Sequence, residues 1–93
     1  MNNDAITPAS AQFATFPKTI RELITETIAK GGEVRPEGHT GRMLTFAVPV
    51  RYVSGKVGQR QIGTVGWFVR DGRNKISSGV HDVRSGLARH RAA

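Results

Sequence analysis

The stretch from Met43 to Ser78 constrains the fold most, because two turn signals cut it into three segments whose side chains alternate as those of antiparallel strands do. Successive side chains of a strand point to opposite faces, so the apolar positions fix which face is buried. In the first segment Leu44, Phe46, Val48, Val50 and Tyr52 form an unbroken apolar row, while Met43, Thr45, Ala47, Pro49 and Arg51 form a mixed one. The second segment turns Val65, Trp67 and Val69 to one side and Arg60, Ile62, Thr64, Phe68 and Arg70 to the other. A hairpin that pairs even positions with odd ones brings both apolar rows to one face. A two-residue loop at Ser54-Gly55 or a four-residue loop does this, and an odd-length loop requires a bulge.

Asp71-Gly72 is the stronger turn signal, since both residues accept the positive φ of a tight hairpin turn. This turn sets Arg70 opposite Arg73, Trp67 opposite Ile76 and Val65 opposite Ser78. Pro49 lacks an N–H, which suits an edge strand or a bulge. Gly63 and Gly66, inside the second strand, mark a bend, a bulge or a close approach.

The apolar row needs a cover. Pro17 to Lys30 reads as a helix with Ile20, Leu23, Ile24 and Ile28 at helical spacing, ended by Gly31-Gly32. The expected fold is therefore a single α+β domain, an N-terminal helix packed on a three-stranded antiparallel β-meander. A short strand at Glu33 to Arg35 and a short C-terminal helix carrying Val80, Val83 and Leu87, interrupted by Gly86, are the additional elements the pattern allows. Residues 1–15 read as a flexible N-terminal segment, 16–84 as the domain and 85–93 as a basic tail, with Phe13 or Phe16 at the first boundary packing against the domain.

Charge separates along the chain. Residues 1–41 carry four cations against five acids, a net of −1, and residues 42–93 carry ten cations against Asp71 and Asp82, a net of +8; together they give the +7 of the whole chain. A field of this kind points to a polyanion or an acidic surface. The face opposite the apolar rows collects Arg51, Arg60, Arg70, Arg73 and Lys75 around Phe68. The expectation is a non-enzymatic nucleic-acid-binding protein, for DNA or RNA, in which these cations meet phosphates or bases and Phe68 stacks or wedges. Arg84, Arg89 and Arg91 then add backbone contacts. The alternative is an interaction module, such as a phage or plasmid-encoded inhibitor or an assembly subunit, that docks on an acidic protein or on a second copy as a homodimer.

Other chemistry finds little support. There is no cysteine, no phosphate-cradling glycine loop, no paired catalytic carboxylates, and the three histidines are scattered, so no cofactor and no metal are expected. No apolar run reaches the length of a membrane span, so no membrane partner is expected and the cytoplasm is the default location. Arg35, His39, Thr40 and Arg42 share one loop, where His39 is the residue able to act as a general acid or base. From Ile20 to Pro49, the order of helix, glycine break, Gly38-His39 loop and strands resembles the dsRNA-binding-like fold of HicA-type mRNA interferase toxins. That resemblance implies RNA cleavage with His39 as the catalytic position, although the family's histidine follows Gly-Ser and here Glu37-Gly38-His39 lacks the serine.

Overall fold

The computed structural model describes residues 5–90. A short 3-10 turn at Phe13–Thr15 leads into helix α1 (Lys18–Ala29), strands β1 (Glu33–Pro36), β2 (Met43–Arg51), β3 (Val57–Arg70) and β4 (Arg73–Ser78), and helix α2 (Val80–Arg89). The strands form one antiparallel sheet in the order β1-β2-β3-β4. The architecture is thus α+β with four strands rather than three. Glu33–Pro36 is too short to carry a periodic signal, and it becomes a strand because Val34 pairs with Phe46 and is fully buried there.

Both helices lie on one face of the sheet, α1 over β1 and β2, α2 over β3. Ile20, Leu23 and Ile24 of α1 meet Leu44, Phe46, Val48 and Val65, and Val83 and Leu87 of α2 complete the core. Thr27, also on the buried stripe, loses no hydrogen bond because its hydroxyl donates to the Leu23 carbonyl at 2.7 Å. α1 ends where Gly31 takes φ +81° and the Gly32 N–H donates to the Thr27 carbonyl. Phe46 and Trp67 share the helix-covered face, being 0% and 7% exposed, as the alternation requires.

Core packing extends on both sides of residues 16–84. Ile6 is buried in the core, and its N–H donates to the Val34 carbonyl at 2.6 Å, so the chain before α1 lies along the outer edge of β1. At the other end α2 continues to Arg89, with Leu87 buried. Gly86 does not break this helix. It is the point where α2 touches the sheet, since a Cβ there would stand 2.6 Å from the Ile62 Cβ, and Gly63 admits Val83 in the same way.

The register of β2 with β3 changes once. Next to β4, Leu44 pairs with Val65 and Phe46 with Gly63, even with odd. Beyond Phe46 the ladder slips, Ile62 is left without a partner, and Ala47 pairs with Gln61, Val48 with Arg60 and Val50 with Gly58. The slip accompanies an odd-length connection: the Tyr52 N–H donates to the Lys56 carbonyl at 2.8 Å and the Gly55 N–H to the Tyr52 carbonyl at 2.9 Å. On the other side of β3 the Asp71-Gly72 turn has φ of 53° and 76°, and Arg70 pairs with Arg73 and Trp67 with Ile76. A second slip next to Gly66 then sets Ser78 opposite Gly66 rather than Val65.

Candidate nucleic-acid interface

The uncovered face of the sheet divides into three parts. At its β3–β4 end the Asp71-Gly72 turn brings Arg70 opposite Arg73, while Phe68 sits opposite Lys75 one step inward. Phe68 is 44% exposed and Met43, on the neighbouring strand opposite Gly66, is 40% exposed. The result is an aromatic and apolar patch ringed by Arg70, Arg73 and Lys75. Such a patch can stack or wedge against bases while its rim meets phosphates.

The middle of this face is neutral. On β1 the Arg35 Nε donates to the Glu33 carboxylate at 2.9 Å. The Thr45 hydroxyl donates to the Glu37 carboxylate at 2.9 Å and lies 3.1 Å from the Thr64 hydroxyl, which also accepts from the Gln61 amide at 3.4 Å. At the far end stand Arg51, opposite Val57, and Lys56 in the connecting turn, both exposed. From Val57 to Arg70 the strand advances roughly 40 Å at about 3.3 Å per residue. The cations expected to form one field therefore occupy two ends of the sheet with a hydrogen-bonded polar strip between them.

Arg60 departs from the simple alternation. Pairing with Val48 puts it on the helix side, because residues directly opposite in an antiparallel pair share a face. There it lines a groove of about 350 Å³ between β3 and α2, together with Gln61 and with His81, Asp82, Ser85 and Arg89 of α2. α2 runs back along β3, so its last turn delivers Arg89 to the root of the β2–β3 ribbon. A cation in that position also suits the negative end of the helix dipole. Arg84 is exposed on α2, and Arg91 lies outside the described residues.

Arg35, His39 and Arg42 do not form a cluster. Arg35 turns to the open face and Glu33. Arg42 borders a recess with Thr15, Phe16, Thr40 and Trp67. His39 is exposed in the β1–β2 loop and makes no hydrogen bond within the described residues. Among the described residues, no group of three or more His, Asp or Glu side chains could hold a metal ion, and no helix is long and apolar enough to cross a membrane.

Tyr52 is the side chain whose role the alternation misjudged. It belongs to the apolar row of β2, yet it lies beyond the helices and is 53% exposed. Its ring rests across the ribbon on Gly58: a Cβ at position 58 would fall 2.9 Å from the Tyr52 Cε2. The glycine in a strand was the available signal.

No family model matches the chain, and no curated protein or solved structure matches it either.

Proposed function

We propose that the protein binds nucleic acid, DNA or RNA, and does so without catalysing a reaction. The observation that carries this reading is the lack of compensation. Arg51, Arg60, Arg70, Arg73, Lys75, Arg84 and Arg89 make no ion pair with any described residue, although Asp71 and Asp82 are close in sequence. The described acids outside the turn and α2 are Glu22 and Glu26 on α1, Glu33 on β1 and Glu37 just beyond it. A sheet end with Arg70 directly opposite Arg73 is unfavourable in isolation and becomes favourable once a phosphate sits between them. The exposed Phe68 within that cationic rim adds a surface for an unpaired or unstacked base. A cytoplasmic location goes with this reading.

A gel-shift titration across a salt series tests it. With about five phosphates neutralised, the logarithm of affinity falls against the logarithm of salt with a slope between about −4 and −5 on duplex DNA. Absence of binding to DNA and to RNA at low salt rejects the proposal.

The second reading is docking on an acidic protein or a second copy through the same patch, favoured by Met43 and Phe68 being exposed on the open face and by β4 being an edge strand of the sheet. Arg73 and Lys75 on that edge oppose strand-to-strand pairing of two copies. Sedimentation that detects a tight dimer with Phe68 protected selects this reading over the first.

A further inference from the structure

The β2–β3 ribbon extends past both helices, and its helix-side flank brings together groups that the open face of the sheet does not. Val50 pairs with Gly58 and Val48 with Arg60, so Val50, Gly58 and Arg60 line this flank, and the Tyr52 ring lies over Gly58 on the same side. Gly58 and Arg60 are two residues apart, about 7 Å along the strand. Arg60 in turn shares its groove with His81, Ser85 and Arg89 of α2, Asp82 being the single carboxylate there. Two guanidinium groups in one groove without an ion pair to that carboxylate repel each other until an anion enters. The surrounding chain adds no further acid, for Gly38 to Arg70 contains neither Asp nor Glu.

The ring itself is held for stacking. Its Cε2, Cζ and Oη lie where a side chain at Gly58 would begin, its main chain is fixed by the Tyr52 N–H to Lys56 carbonyl bond, and half of its surface is open. An aromatic ring fixed in this way, with a cation one step along the strand, fits a base and the phosphate that follows it. A duplex hides its base faces inside the stack, so the ligand this flank accepts is single-stranded.

Resting on the nucleic-acid reading above, we infer that the helix-side flank of the β2–β3 ribbon is a single-stranded nucleic-acid site in which Tyr52 stacks on a base and Arg60 and Arg89 hold adjoining phosphates. Gly58 is a positioning residue, since any side chain there evicts the ring.

Fluorescence anisotropy with labelled oligo-thymidylate and with a duplex of equal length tests this on the full chain. Tyr52→Ala lowers affinity for oligo-thymidylate by about 5-fold to 150-fold, the range given by one stacked base, while Tyr52→Phe stays within about twofold of the parent. Duplex affinity stays within about twofold for both. Gly58→Val reproduces the Tyr52→Ala loss on the single strand although it removes no contacting group. Arg60→Gln and Arg89→Gln each reduce the single-strand salt slope by about 0.7. Tyr52 is the sole tyrosine, so its ring protons are identifiable by NMR, and they shift on oligo-thymidylate binding and not on duplex binding. An equal loss on both ligands in Tyr52→Ala, or no loss on either, overturns the inference and leaves the general reading standing as long as the duplex is bound. A parent protein that binds neither ligand removes both.

Discussion

Phe16 illustrates how much a single side chain from outside the main elements can hold. It stands just before α1 and meets Trp67 edge to face, with ring centroids 5.4 Å apart. Each of the two is 7% exposed, so together they close the β3–β4 end of the core. Phe16→Ala removes that lid and leaves the indole half wet, lowering stability by about 3 kcal/mol. A urea titration followed by the emission of Trp67, the only tryptophan, reads this as a lower midpoint together with a red-shifted folded baseline. Arg73 has the opposite sign. It faces Arg70 across the turn, and like charges opposite each other destabilise a sheet by about 0.2–1 kcal/mol. Arg73→Thr is therefore expected to raise the urea midpoint while lowering the salt slope of binding by about 1. A variant that gains stability and loses affinity marks Arg73 as kept for its ligand.

At the scale of elements, legibility followed length and period. α1 was readable because four apolar residues recur over three turns, and the core half of the β2–β3 pairing because five alternating apolar residues leave it one register. β1 has only four residues, and what makes it a strand is the partner it finds on β2. α2 looked interrupted because Gly86 is a poor helix former, whereas its missing side chain is what lets the helix approach Ile62. Gly63 marked a bend, a bulge or a close approach without fixing the slip at Ile62 beside it, and with that went the placement of Arg60, which alternation alone assigns to the open face. The segment before α1 gave no periodic signal either, yet Ile6 is 2% exposed and donates a hydrogen bond to β1. Burying such a side chain contributes about 1.5–3 kcal/mol. Removal of residues 1–12 is expected to lower stability by about 2 kcal/mol and to raise amide exchange along β1, as hydrogen exchange would report.

The whole molecule has one covered face, one open face and a ribbon that outruns both helices. Its charge follows this plan: the open face keeps a neutral centre, and Arg70, Arg73 and Lys75 at one end are roughly 40 Å from Arg51 at the other by the advance of β3. Sites that far apart act independently. Arg51→Ala and the pair Arg70→Ala with Arg73→Ala should therefore change the binding free energy additively, to within about 0.5 kcal/mol in a double-mutant cycle. That two ends are charged, rather than one whole face, was not readable from the chain, because Glu33 and Glu37 reach the face through β1 and the residues after it.

The outrunning ribbon also makes this fold unequal in its tolerance of a cut backbone. Arg51 and Lys56 flank a turn whose tip residue Val53 is fully accessible, whereas the halves of β2 and β3 on either side are locked into the sheet near the core. A protease that cleaves after basic residues should nick the chain there first. The two fragments so made should stay together as one folded particle under native conditions and part only in denaturant, which native mass spectrometry can distinguish in a single digest.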